Sequence, residues 1–326
     1  MTPAASVKPR TYRVMLVGLG RIGLLYDLDL PSHYCYTHAR AFSGHPRFQL
    51  VAGVDPDADR RGLFESRYQR KSYASTAEAL AEHAPDVAVI AVATDDHSAA
   101  TVAALEGLSV VAVLCEKPLA YRPDDARRIA AACADRGARL FVNYVRRSDP
   151  SVIDIRRRLD SGEIRGPFKG ICWYAKGFLH NGSHFVNLLA FWLGPAEKAQ
   201  LIEKHDRAAG WDADVDARII FRSGVVQFMS VPDTLAHYGV ELIAASGRIR
   251  YDGDRIYWTP ASGPAAADQV LSQVTEALPD SMPQYQWHVA DQLAAALDGA
   301  PANICDAREA LETLDSMHAV IQQVIS

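Results

Sequence analysis

The sequence predicts an α/β fold: a doubly wound parallel sheet in the first half, then an α+β region on a large, mostly antiparallel open sheet. Three observations predict it. Up to residue 143, short continuous apolar runs alternate with helical stretches, the pattern of strands buried on both faces and joined by crossover helices. A glycine-rich turn directly follows the first run. Beyond residue 143 the runs lie closer together, and Arg222-Ser223-Gly224 and Ala245-Ser246-Gly247 supply hairpin turns between neighbours.

The elements follow in order. Tyr12–Val17 and Phe48–Val54 are apolar strands, the first ending at Gly18 and the second at Asp55. Val87–Val92, Val110–Cys115 and Arg139–Asn143 are further buried strands. Residues 57–69, 77–82, 98–105 and 124–136 read as helices, with Ser75-Thr76 and Asp124-Asp125 as start signals. A helix over 151–160 opens the second half and stops at Ser161-Gly162. Strands are expected over 168–175, 215–221, 225–231, 240–245 and 249–251, a loop over 261–267, and two closing helices over 284–297 and 306–324. The expected division is one domain over 1–143 and a second over 144–326, with 284–326 packing back on the first.

Composition narrows the function classes. At about 150 residues per domain, 326 residues imply two domains. With 49% hydrophobic and 22% charged residues the chain can bury a sizeable core. The net charge of −5 gives no general attraction to nucleic acid or anionic membranes. No apolar run nears the ~18 residues of a membrane span, and Met1–Arg10 reads as a tail without a signal-peptide core. Five cysteines (35, 115, 133, 172, 305) without a CxxC pair fit a reducing compartment, so a cytoplasmic location is expected.

Two features carry chemistry. Gly18-Leu19-Gly20-Arg21-Ile22-Gly23 matches GxGxxG after the first strand. The first glycine makes the tight turn, the second lets backbone approach a pyrophosphate, and the third lets helix and strand pack closely, with the helix N-terminus facing the phosphates. Asp55 ends the second strand, where a carboxylate accepts from a ribose hydroxyl and repels a 2′-phosphate; NAD is favoured over NADP. Its other role would be to cap the next helix, and Arg60 and Arg61 leave a phosphate partner open. The long spacing from Gly23 to Asp55 reflects an apparent insertion over residues 24–36, a candidate lid.

Lys117, in Cys115-Glu116-Lys117-Pro118, lies at the carboxyl end of a strand, where open α/β sheets bind ligands. It is either a proton-transfer group with a lowered pKa or a surface lysine in a turn. His184 begins a helix that Gly194-Pro195 ends, with Asn181 or Ser183 as candidate caps. The positive end of the helix dipole disfavours imidazolium there, so His184 is either a neutral proton acceptor or a structural histidine. Asn187, three residues on, is expected on the same helix face.

In these residues the chain resembles the Gfo/Idh/MocA oxidoreductases (glucose-fructose oxidoreductase, inositol dehydrogenase, rhizopine catabolism). The resemblance runs from Gly18–Gly23 through Val51-Ala-Gly-Val-Asp55, Ala93-Thr94 with His97, Glu116-Lys117-Pro118 and Leu159–Gly166 to Gly182-Ser-His184 and Leu193-Gly194. It implies a Rossmann domain binding NAD or NADP through Gly18, Gly20, Arg21, Ile22, Gly23, Asp55, Thr94, His97, Glu116, Lys117 and Asn143. It also implies an open sheet used for homodimers or homotetramers, and hydride transfer to or from a hydroxyl or keto carbon of a sugar, cyclitol or nucleotide sugar. Lys117 and His184 would be the catalytic pair, with Tyr144, Arg146, His180 and Asn187 near the substrate. Arg146 is otherwise a capping or interdomain ion-pair residue. The chain departs from the common pattern where relatives carry Asp four residues before and three residues after the histidine. Here those positions are His180 and Asn187, so carboxylates that would raise the pKa of His184 are missing.

The remaining signals are weaker. No metal is expected: His33-x-Cys35-x-x-His38 lacks the paired spacing of a zinc site. Arg156-Arg157-Arg158 reads as a solvated face. The same scaffold leaves two other functions open, an NAD-dependent glycosidase acting by transient oxidation and elimination, and a non-catalytic cofactor-binding regulator.

Overall fold

A computed structural model describes residues 10–205, 212–232, 235, 237–262 and 270–325. Its first sheet is built from β1 (Tyr12–Val17), β2 (Phe48–Val54), β3 (Ser72–Tyr73), β4 (Val87–Ile90), β5 (Ala112–Cys115) and β6 (Arg139–Val142), in the order β6-β5-β4-β1-β2-β3 and all parallel. The order reverses beside β1, which opens a crevice at the carboxyl ends of β1 and β4. Both faces are buried, as continuous apolar runs require. Along β1, Val14 and Leu16 enter one core cluster while Met15 and Val17 enter the other.

The connecting helices are α1 (His38–Gly44), α2 (Ala58–Tyr68), α3 (Thr76–Glu82), α4 (His97–Leu105) and α5 (Pro123–Asp135). Asp57 caps α2 through the amides of Asp59 and Arg60, and Ser75 caps α3 through Glu78. Pro123 takes the first turn of α5, so Asp124 and Asp125 lie within that turn rather than capping it.

The second half opens with α6 (Pro150–Asp160), capped by Asp149. Its sheet comprises β7 (Phe168–Tyr174), β8 (Ala196–His205), β9 (Asp214–Phe221), β10 (Gly224–Ser230), β11 (Gly239–Ala244), β12 (Gly247–Tyr251), β13 (Ile256–Ser262), β14 (Val270–Leu271) and β15 (Glu276–Ala277). The order is β14-β13-β12-β11-β7-β10-β9-β8, with β15 beside β13. β7 and β10 pair in parallel and the other pairs are antiparallel. α7 (Ser183–Leu193) follows β7. The chain then returns through α8 (Tyr285–Leu297), β16 (Cys305–Asp306), which pairs antiparallel with β6, and α9 (Ala307–Ile325), which packs on α5, α7 and β8. A single apolar cluster runs from Val113 and Cys115 of the first sheet through Phe185 and Leu188 of α7 to Ala217 and Phe228 of the second.

Several expectations are corrected. β8 and β13 were not anticipated. β8 carries Glu197, Lys198, Glu203 and Lys204 at an edge without strict alternation, and β13 contains Pro260. The loop expected over 261–267 is strand at 261–262; its remaining residues lie outside those described. The helix expected after the glycine turn is only a five-residue π-turn, Arg21–Leu25, and regular helix resumes at His38.

Between them the insertion is tied down. The fully buried Asp27 carboxylate accepts from the Tyr36 and Thr37 amides (2.7 and 2.9 Å) and the Thr37 hydroxyl (2.8 Å). Arg40 spans the loop to the carbonyls of Pro31 and Tyr34. Such closure makes the segment an internally braced loop. Arg158 likewise pairs with Asp154 and Glu276 and is only 12% exposed, so the arginine run is not simply a solvated face. All five cysteines are buried and unpaired. No helix among the described residues is long and apolar enough to cross a membrane.

Candidate active site

The three glycines of the turn play different parts. Gly18 has φ +99°, and a Cβ there would lie 2.5 Å from the Ala91 carbonyl oxygen. A Cβ on Gly23 would lie 2.1 Å from the Gly18 oxygen. Both positions are closed by the protein's own backbone. Above Gly20 the nearest atom to such a Cβ is the tip of Arg60, at 4.0 Å. The open space over the middle glycine is the cradle a pyrophosphate needs. Arg21 and Ile22 lie in the π-turn beyond it, where the amides of Leu24 and Leu25 both return to the Gly20 carbonyl (2.9 and 3.1 Å).

Asp55, 3% exposed, stands beside this cradle. Its two oxygens accept from the Leu19 amide (2.8 Å) and the Asp57 amide (2.9 Å). The helix-capping role falls to Asp57, which leaves Asp55 at the strand end facing the turn. Arg60 lies 3.6 Å from the Asp55 carboxylate, and Arg61 is engaged by the carbonyls of Asp55 and Pro56.

At the ends of β5 and β6 lies a buried polar network. Glu116 accepts from His38 Nε2 (2.8 Å) and Asn143 Nδ2 (2.6 Å), and Asn143 also donates to Gln286 Oε1 (3.2 Å). Burial pushes the Glu116 carboxyl up, but the His38 and Asn143 hydrogen bonds and nearby positive charge outweigh it and hold it below its ordinary value. Four atoms here lack partners: Asn143 Oδ1, Gln286 Nε2, His38 Nδ1 and His97 Nε2. Unsatisfied buried polar atoms are costly, about 1–3 kcal/mol each. An open amide acceptor and an open amide donor in one network are the complement of a carboxamide, so these residues fit a nicotinamide. Thr94 begins a short 3-10 turn nearby, and His97 Nδ1 meets the Leu119 carbonyl (3.1 Å).

Lys117 points across to the second half, donating from Nζ to the His180 carbonyl (2.9 Å). Burial lowers its pKa to about 8; Arg146 adds to this, while Glu116 and Asp212 oppose it. The His184 imidazole packs edge-on against Tyr144 at 6.0 Å, with a buried, unpartnered Nδ1. Its pKa falls well below the ordinary value, first through burial, then through Lys117, Arg146 and His180. Neutrality therefore arises from desolvation and neighbouring cations. His180 is lowered to about 4, first by desolvation of its imidazole among the neighbouring groups and then by Lys117. Arg146 donates to the Tyr251 hydroxyl (3.1 Å), and its guanidinium lies 4.7 Å from the Phe185 ring centre. Tyr144 is buried.

Lys117, Glu116, Arg146, His180 and His184 thus share one electrostatic environment. Asn187 does not join them. Its amide donates to Thr313 Oγ1 (3.0 Å) and Cys305 Sγ (3.3 Å), and it lines a separate cavity of about 500 Å³ with Arg147, Glu309 and Thr313. The helix that carries it is covered by α9, and Thr313 of α9 and Cys305 of β16 claim this side chain. Neither Asn181 nor Ser183 caps α7. A π-turn over Phe178–Gly182 runs straight into the helix, and the Ser183 hydroxyl donates to the His180 carbonyl. Asp212 and Gln286 were not singled out from sequence, and His38 was weighed only in a metal motif, because their partners lie 32 or more positions away.

Residues 12–144 match the model of the Gfo/Idh/MocA oxidoreductase family, described as having an NAD-binding Rossmann fold. Inositol 2-dehydrogenase 1 of Saccharopolyspora erythraea is 32% identical over 161 residues, 48% of this chain and 44% of that protein. The scyllo-inositol 2-dehydrogenase (NAD(+)) of Bacillus subtilis is 28% identical over 51% of this chain and 44% of its own. The matches thus span less than half the length of these relatives. In fold, the chain is similar to the WlbA dehydrogenase of Bordetella pertussis, solved with NADH and UDP-GlcNAcA, at a TM-score of 0.74, 19% identity and 97% coverage of both chains. It is also similar to an NAD-binding oxidoreductase of Klebsiella pneumoniae, at 0.75, 16% identity and 97% coverage of both.

Proposed function

We propose, from the match of residues 12–144 to the Gfo/Idh/MocA oxidoreductase family, an NAD(P)-dependent oxidoreductase acting on a hydroxyl or keto carbon of a sugar, cyclitol or nucleotide sugar. The observation that carries this reading is Lys117. It is anchored at the carboxyl end of β5, shifted to about 8, and shares its environment with a neutral His184 and a network with open carboxamide partners. A bound dinucleotide would supply the hydride donor or acceptor.

The chain's own residues do the rest. Gly20 leaves room for the pyrophosphate and Asp55 receives the ribose, favouring NAD; Arg21, Ile22, Thr94 and His97 border the same crevice. Asn143 and Gln286 hold the carboxamide. Lys117 polarises the reacting oxygen, and His184 takes or returns its proton at neutral pH. Tyr144, Arg146 and His180 surround the reacting carbon. Residues 1–143 act as the cofactor domain and 144–326 as the substrate domain. The larger sheet, whose strands carry the half-exposed Ile202 and Ile243, is the surface for a homodimer or homotetramer.

The test is fluorescence titration with NADH and NADPH, then absorbance at the reduced-nicotinamide band with cyclitols, free sugars and nucleotide sugars. Wild-type protein should reduce or oxidise the cofactor with at least one class. Lys117→Ala should lower kcat by about 10²–10⁴ while NADH affinity holds within a few-fold. Cofactor binding without turnover across the panel refutes the proposal.

A further inference from the structure

The site gathers Lys117, Arg146, His180 and His184, all nitrogen groups, and their mutual proximity disfavours the charged forms of Lys117, His180 and His184. Two carboxylates act on Lys117. Glu116 is committed to His38 and Asn143. The second, Asp212, comes from the segment just before β9 and faces the π-turn that leads into α7. One of its oxygens accepts from the Leu179 amide and the other from the His180 amide, each at 2.8 Å. These are first-turn donors that a helix leaves without intrahelical partners. His180 therefore binds Asp212 through its amide and Lys117 through its carbonyl. One backbone residue thus links carboxylate and ammonium.

The approach is built into the chain. Gly177 has φ +91°, and a Cβ there would sit 2.0 Å from the Asp212 carboxylate, so only glycine admits the contact. Gly177 also donates to Asp214, and Phe178 to the Ala213 carbonyl, which fixes the segment on both sides.

We propose that Asp212 is a positioning residue for Lys117: it holds the His180 carbonyl on the ammonium group, and its charge sustains the protonated form. This deepens the reading of Lys117 given above. The surroundings support it, for burial raises the Asp212 carboxyl to about 6, marking a dry setting in which a charge acts over several ångströms. The groups facing the pair are Glu116, Arg146, His180 and His184 on the Lys117 side and Asp214 on the Asp212 side.

The test is trace acetylation of the full chain with acetic anhydride across pH, each lysine followed by peptide mass spectrometry. In wild type, Lys117 should label with a midpoint near pH 8, as its shift implies. Asp212→Asn keeps an acceptor oxygen and removes the charge. It should bring the midpoint down by about one pH unit, so that Lys117 labels about fivefold faster at pH 7, while the exposed Lys169 and Lys198 are unchanged. An unmoved midpoint overturns the proposal.

If every lysine becomes more reactive in Asp212→Asn, the decisive arm is Asp212→Glu. A wild-type midpoint there supports the role of the charge, and a midpoint as low as that of Asp212→Asn refutes it. The labelling uses neither cofactor nor sugar. A shifted midpoint upholds Asp212 even if no substrate is turned over, and hydride transfer with an unmoved midpoint removes Asp212 alone.

Discussion

Replacing Gly20 by alanine separates the cofactor cradle from the scaffold that shapes it. Gly20 has φ −75° and ψ −155°, an extended conformation, and an added Cβ meets nothing closer than Arg60 at 4.0 Å. The folded protein should therefore accept it. By restricting the unfolded chain, Gly20→Ala should stabilise by about 0.4–1 kcal/mol, an increase in Tm on the order of 1–4 °C. The same methyl group occupies the space proposed for a pyrophosphate. Losing one charge-assisted backbone contact costs about 1.5–3 kcal/mol, or roughly 10- to 150-fold in NADH affinity. Gly18→Ala and Gly23→Ala provide the contrast, because their methyl groups fall 2.5 and 2.1 Å from backbone oxygens. Each should destabilise by more than about 2 kcal/mol. Differential scanning fluorimetry without ligand and NADH titration by fluorescence measure the two effects. If Gly20→Ala binds NADH as wild type does, or melts as early as Gly18→Ala, the assignment of the cradle is wrong.

Two further outcomes follow from the same geometry. Because burial holds Lys117 near 8 against an ordinary 10.5, the unfolded chain binds more protons between those values, and wild-type stability should rise with pH across that window. Lys117→Met should be more stable than wild type at pH 7 by about 1–3 kcal/mol, with the gap closing towards pH 10.5; a gap independent of pH in denaturant titrations would contradict the shift. Asn187→Ala should cost about 1–2 kcal/mol through the lost Thr313 and Cys305 contacts. Substrate KM should stay within twofold, and a KM change of tenfold or more would return Asn187 to the substrate site.

Much of the first half was legible because its signals are local. β1 and β2 have the predicted bounds, since a strand buried on both faces is apolar along most of its length; only Arg13 and Gln49, near the strand starts, are polar and not buried. The glycine turn and Asp55 could be read from their places after the first and second strands. The second half was less legible for an equally physical reason. β8 lies at a sheet edge, where charged residues are favoured, and its sequence AEKAQLIEKH keeps no strict period of two. After the glycine turn, the insertion could be seen as excess length, but its bracing by the buried carboxylate of Asp27 could not.

The candidate site divides in the same way. Helical spacing put His184 and Asn187 on a shared face, yet α7 is surrounded, and its neighbours decide what each side chain meets. His184 faces Tyr144 near the end of β6, whereas Asn187 finds Thr313 on α9. The loss of a carboxylate at position 180 was evident from the sequence. That Asp212, 32 residues later, reaches the amide of His180 was not. By itself the amino-acid order determined the parallel sheet, the glycine turn and the strand-end lysine, because periodicity and turn chemistry act between near neighbours. Only the tertiary structure decided which groups surround Lys117, what keeps His184 neutral and where Asn187 points. Desolvation and charge coupling depend on distance through space, and folding sets that distance independently of separation along the chain.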